Sequence, residues 1–224
     1  MTEVALDPLD LAALLCSRVC HDLISPVGAI MNGLEVLEEE KDAEMRGFAL
    51  DLIKKSAEQA SARLQFCRLA FGAAGSAGAS IDTTEAAMVA RGFFSNERAE
   101  LKWDVPSLLM PKNKVKLILN LCLVAATAIP RGGVIEVAVS GAGEAARIIV
   151  AAKGANAKLS GRLAPLIAGA PDHAPATPQD IQVYYAGLIA KAANMAITVT
   201  ADSGLVTIEA EPSKAQAAVE PLAS

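Results

Sequence analysis

His21 and Asp22 stand side by side in the run Arg18-Val-Cys-His-Asp-Leu-Ile-Ser-Pro-Val-Gly-Ala-Ile30. An imidazole keeps a useful unprotonated fraction near neutral pH and can act as a nucleophile. A neighbouring carboxylate can accept a hydrogen bond from one ring nitrogen. That fixes the tautomer and leaves the other lone pair free. Spacing decides whether the lone pair can be reached. Leu15, Val19, Leu23, Pro26, Ile30, Leu34 and Leu37 recur near the helical period and read as the buried stripe of one helix. At about 100° per residue, His21 falls about 200° from Val19 and from Leu23, on the opposite face. Ser17, His21, Ser25, Gly28 and Asn32 then form a stripe of small or polar side chains that another protein can approach. Pro26 cannot donate to the carbonyl of Asp22, and a proline in a helix interior costs about 3 kcal/mol. A kink at the turn carrying His21 reads as a shaped site. The plainer alternative is a solvated histidine beside a solvated aspartate.

The elements that position this pair follow from caps and periodicity. Asp7-Pro8 supplies an N-cap and a first-turn proline for a helix reaching about Glu40. Glu38-Glu39-Glu40 suits a helix C-terminus poorly and reads as a solvated end beside a tight turn. A second helix spans about Asp42 to Phe71, with Met45, Phe48, Leu52, Ala57, Ala60, Leu64 and Phe71 on one face. Two tightly joined helices, each about 45–50 Å long at 1.5 Å per residue, make an antiparallel hairpin. One hairpin cannot cover both sides of its apolar stripes. A second copy would complete a four-helix bundle, which predicts a homodimer. The alternative is that the hairpin docks on the chain's own second domain.

Gly72 to Ser80 has no periodicity and reads as a linker. Beyond it the pattern changes. Asp82-Thr-Thr-Glu85 reads as a capping box opening a helix to Phe94, and Glu100–Val105 alternates as a strand. Pro111 opens an apolar helix to Ala128. Val134–Ser140 and Arg147–Ala152 form a hairpin around Gly141-Ala-Gly143. Leu159–Ala168 reads as a short helix, Ala170–Thr177 as a loop and Pro178–Asn194 as a helix. Ala196–Ala201 and Leu205–Ala210 form a last hairpin through Asp202-Ser-Gly204. The fold class is α+β: a long helical hairpin at 1–75, an α/β sandwich with a helical layer on a mixed sheet at 76–212, and a flexible tail at 213–224.

Composition narrows the function. A net charge of −5 and the lack of a basic, aromatic-laced patch argue against nucleic acid as the partner. No unbroken apolar run of about 18 residues is present, so no membrane span is expected. The start MTEVALDPLD is acidic and lacks a signal peptide's pattern. Cys16, Cys20, Cys67 and Cys122 sit in apolar helical patterns, predicting reduced, buried thiols in a cytoplasmic protein. Cys16 and Cys20 beside His21 lack a second ligand pair, so no metal site is expected. His173 lies in a proline-rich loop and reads as solvated.

The run HDLISPVGAI resembles the phosphoacceptor box of histidine kinases. That resemblance implies that His21 carries phosphate and Asp22 assists proton movement. Ser25 matches a position that in some members orients a water for dephosphorylation. Asn120-Leu-Cys-Leu-Val-Ala-Ala-Thr-Ala-Ile-Pro-Arg-Gly-Gly133 resembles the kinases' ATP-binding domain, with Asn120, Ala125, Ala128, Pro130, Gly132 and Gly133 in frame. Val124 replaces the magnesium-binding asparagine, and Ala152 the adenine-reading aspartate. Asn156 falls on a motif glycine, and helix-forming Gln179–Gly187 replaces the ATP lid. Valine and alanine offer no oxygen to a cation or an adenine. The chain as a whole resembles the dimeric histidine phosphotransferases, which pair a kinase-like bundle with a degenerate ATPase domain. The resemblance implies a phosphoryl donor in the receiver domain of a hybrid kinase (CckA-like) and acceptors in response-regulator receivers (CtrA-like, CpdR-like). It implies no cofactor on this chain, with Mg2+ held by the partner receiver. Ser17, Arg18, Ser25, Gly28 and Asn32 would meet the receiver, Arg18 near the phosphate. Three alternatives are a weak kinase, a phosphatase acting through Ser25, and a non-enzymatic scaffold that binds receivers.

Overall fold

The computed structural model describes residues 6–72, 79–159, 163–167 and 178–213. His173, most of the glycine-rich linker and the tail beyond Ser213 lie outside the described residues. Two long antiparallel helices lead the chain: α1 (Pro8–Glu39) and α2 (Ala43–Ala70). The Asp7 carboxylate caps α1 by accepting from Leu9 N, and α1 continues unbroken through Pro26. Glu40 makes the turn between the helices. Its carboxylate accepts from the Lys41 and Asp42 amides at 2.8 and 3.0 Å, and these bonds hold its pKa below the usual carboxylate value. Asp42 then caps α2, and Arg46 reaches back to the Leu37 and Glu40 carbonyls at the end of α1. That arginine supplies the positive charge that a helix C-terminus favours and the glutamate run lacks.

After the linker come β1 (Ser80–Asp82), α3 (Thr83–Phe94), β2 (Ala99–Asp104), β3 (Leu109–Pro111) and α4 (Lys112–Ala128). Next are β4 (Gly133–Ser140), β5 (Arg147–Lys153), α5 (Leu163–Ile167), α6 (Pro178–Ala192), β6 (Met195–Asp202) and β7 (Leu205–Pro212). Five strands form one mixed sheet in the order β2-β4-β5-β7-β6. Only β2 and β4 run parallel. The helical layer lies on one face and seals a core of aliphatic and alanine side chains. The short pair β1 and β3, joined at Ile81 and Met110, was not legible as strands. Three residues are too few to show a period. Asp82 caps α3 through Thr84 N as expected. The reciprocal half of the capping box is replaced, because Glu85 faces Arg68 of α2 at 3.8 Å.

The hairpin docks on its own second domain, but only along its lower half. Leu6, Leu11, Leu14 and Leu15 of the α1 end, and Phe66, Leu69 and Ala70 of α2, join the second domain's core. Phe66 meets the Phe93 ring at 4.3 Å between centroids, and Phe93 meets Phe94 at 5.1 Å. Second-domain side chains also take over the orphan carbonyls at the α2 C-terminus. Asn120 donates to Ala70 O at 3.0 Å, Lys116 to Gly72 O at 3.0 Å and Tyr185 to Phe71 O at 3.3 Å.

The upper half corrects the expected stripes. Leu15, Val19, Leu23, Ile30 and Leu37 are half-buried, Pro26 is buried, and Leu34 is exposed. A second apolar row runs along α1 through Ile24, Val27, Met31 and Leu34, all exposed. On α2 the face turned to α1 carries Ala49, Ile53, Ser56, Ala60, Arg63 and Cys67. Of the expected face, Met45, Phe48, Leu52, Ala57 and Leu64 are exposed, while Ala60 is buried and Phe71 packs on the core. Single-helix periodicity finds an apolar stripe but cannot say which partner covers it. The close approach of the two helices depends on Gly33, where an added Cβ would lie 2.6 Å from Ile53 Cγ1.

Candidate active site

His21 projects from the middle of α1 with 79% of its side chain exposed. Its Nδ1 lies 3.4 Å from Asp22 Oδ1. When Nδ1 carries the proton, it donates to the carboxylate and the Nε2 lone pair points to solvent. Asp22 itself is mostly covered, with 14% of its side chain exposed. Its Oδ2 accepts from Arg18 Nε at 3.0 Å, one turn back on the same helix. Arg18 is thus partly withdrawn onto Asp22, at 17% exposure, while remaining on the flank of His21. Ser17 and Ser25 are exposed one turn to either side of His21, and Asn32 is exposed three turns further along α1. A Cβ at Gly28 would meet nothing within 4 Å, so that flank is bare. The seven predicted site residues therefore lie along one face of α1.

Two residues of the site carried no recognisable sequence signal. Arg63 of α2 donates through Nη1 to the Asp22 carbonyl at 2.6 Å and through Nη2 to Glu97 Oε1 at 2.9 Å. Pro26 shows in the sequence that the Asp22 carbonyl lacks its usual donor. It does not show where a replacement comes from. Cys67 packs beneath this cluster. Burial, reinforced by the charge of Asp22, pushes its thiol up to about 11. Cys122, deep in α4, is pushed up to about 12 by burial. Cys16 and Cys20 correct the expectation of four buried thiols: both are exposed.

The second domain places the degenerate nucleotide positions in its interior. Asn120, Val124 and Ala152 are each fully buried. The Asn120 amide donates to Ala70 O and Lys116 O, and its oxygen accepts from Gln182 Nε2 of α6 at 2.8 Å. Residues of the expected lid, Ile181, Gln182 and Val183, are buried as well. Asn156 has a φ of +61°, the left-handed conformation that the glycine it replaces adopts freely. The Asn120 side chain is thus engaged within the fold, and Val124 and Ala152 carry no side-chain oxygen.

A family model described as the histidine phosphotransferase C-terminal domain matches residues 83–204. The chain is 48% identical over 208 residues to protein phosphotransferase ChpT of Brucella abortus (strain 2308), covering 93% of this chain and 98% of that protein. The chain belongs to the histidine phosphotransferase family. A solved structure of a bacterial phosphotransferase is 45% identical, covers 94% of this chain and 100% of its own, and superposes with a TM-score of 0.83. This histidine phosphotransferase is thus an α+β enzyme that carries its helical hairpin and its sheet domain in the arrangement of that structure. By length and composition alone, α1 is long and apolar enough to cross a membrane. Arg18, His21 and Asp22 interrupt it midway, and its apolar rows lie against α2 or beside the exposed face of α2.

Proposed function

We propose that this phosphotransferase relays phosphoryl groups between receiver-domain aspartates through His21, without using ATP. The observation that carries the reading is the exposed imidazole whose inner nitrogen faces a covered carboxylate. In the first transfer, His21 Nε2 attacks the phosphorus of a receiver acyl phosphate. The N–P bond forms, the P–O bond to the aspartate breaks, and the aspartate leaves as a carboxylate. Asp22 balances the positive charge that develops on the ring and can take the Nδ1 proton. The second transfer reverses these steps onto another receiver. Mg2+ on the receiver's acidic residues neutralises the phosphoryl oxygens, as phosphoryl transfer requires. Ser17, Arg18, Ser25, Gly28 and Asn32 form the contact surface. CckA-like donors and CtrA-like and CpdR-like acceptors, in a cytoplasmic cell-cycle relay, are the partners that the family resemblance supports.

The working unit we propose is a homodimer. Ile24, Val27, Met31 and Leu34 on α1 and Met45, Phe48, Leu52 and Leu64 on α2 are all exposed. Pairing two hairpins would cover both rows in a four-helix bundle and leave the His21 face open. One experiment tests the chemistry. The full chain is incubated with a phosphorylated receiver, and acid-labile, base-stable label is expected on the wild type and none on His21→Ala. Label persisting on the variant would move the acceptor elsewhere. A parallel melt with magnesium-ATP at ten times a trial dissociation constant would shift stability by about 1.4 kcal/mol if a site existed. No shift is expected, and a clear one would restore a kinase reading.

A further inference from the structure

We infer that Arg63 is a positioning residue for phosphotransfer, standing in for the hydrogen bond that Pro26 removes and tying the His21 turn to Glu97 of the second domain. The inference rests on His21 as the acceptor. In an unbroken helix the Asp22 carbonyl accepts from the amide of residue 26, and here that residue is proline. A covered carbonyl without a donor is costly, so a donor must come from outside the helix. Arg63 provides it at 2.6 Å. Its other terminal nitrogen is held by Glu97 at 2.9 Å, and its guanidinium carbon stands 6.0 Å from the centre of the Phe93 ring. Three contacts from α1, α3 and the turn after α3 therefore meet on one planar group. Arg63 and Glu97 side chains are 18% and 32% exposed, so the pair is partly shielded from water.

The consequence falls on Asp22. Its side chain is held by Arg18 and its backbone by Arg63, and its free oxygen faces His21 Nδ1. Loosening the backbone tie lets the carboxylate and the imidazole drift relative to an incoming phosphoryl group. Arginine suits the task because its fork donates to two acceptors at fixed geometry, which a lysine ammonium cannot reproduce. Glu97 makes the second domain part of that tie.

A cycle of variants tests the inference through single-turnover transfer from a phosphorylated receiver, measured across receiver concentrations. Arg63→Ala is expected to lower the saturating rate by about 10–100-fold, with the half-saturating concentration changed less than about two-fold. Arg63→Lys should fall between. Glu97→Gln, which leaves Arg63 in place, should lose about three-fold and guards against a folding failure of Arg63→Ala. The decisive readout is the background. With Pro26→Ala, residue 26 regains an amide for the Asp22 carbonyl, and Arg63→Ala should then cost less than about three-fold. An equal loss in both backgrounds, an unchanged rate, or a loss only in half-saturation would overturn the positioning role. Wild-type label on a residue other than His21 would instead overturn the acceptor assignment on which this rests.

Discussion

The lower and upper halves of the hairpin are built from similar residues and end in opposite states. At the base, apolar side chains of α1 and α2 enter a sealed core, and the α2 carbonyls find donors on α4 and α6. Halfway up, the same two helices present Ile24, Val27, Met31, Phe48 and Leu52 to solvent. His21 stands just above the boundary, and Arg63 and Glu97 mark it. The difference teaches where each kind of chemistry belongs. The second domain turns Asn120, Val124 and Ala152 inward, and Asn120 holds the end of α2. His21, the proposed acceptor, sits on the part of the molecule that still has surface to share.

The comparison breaks most visibly at the upper rows. Leu34→Glu combined with Phe48→Glu would place unpaired carboxylates at the seam of a bundle, each costing several kcal/mol on burial. The proposed dimer should fall to a monomer in sedimentation at micromolar concentration, with helicity kept, because both positions are already exposed in the single chain. An intact dimer would place its contact elsewhere.

Asn120→Ala probes the base. It strips a donor from Ala70 O and an acceptor from Gln182, both buried, and should cost about 2–3 kcal/mol in urea unfolding. A change below about 0.5 kcal/mol would mean that Asn120 is a relic without a structural task.

The smallest effect concerns the thiols. Burial raises Cys67 and Cys122 above the ordinary thiol value, so the neutral form is favoured in the fold. At pH 8 a soluble maleimide should modify Cys16 and Cys20 and spare the other two until the chain unfolds. The sign follows from linkage: a raised thiol pKa contributes stability below the unfolded value near pH 9, and that stability is lost as pH climbs toward 11. Stability rising over that range would contradict the burial of Cys67.

Local pattern determined a good deal of this protein. Asp7-Pro8, Asp42 and Asp82 fixed three helix starts because a capping carboxylate acts within three residues of itself. Asp202-Ser-Gly204 closed the last hairpin because Gly204 freely adopts the positive φ, +75°, of its turn. The His21-Asp22 pair and its bare flank were legible because a helix places neighbours three and four residues apart on one face. The tertiary structure decided what distance in sequence conceals. It assigned one apolar row to α2 and left the other open. It buried Cys67 but not Cys20. It brought Arg63 to a carbonyl 41 residues away and Glu97 to Arg63 across 34. Periodicity reports that a face is apolar, and only packing chooses its cover. A proline reports that a carbonyl lacks a donor, and only the assembled helices bring one to it.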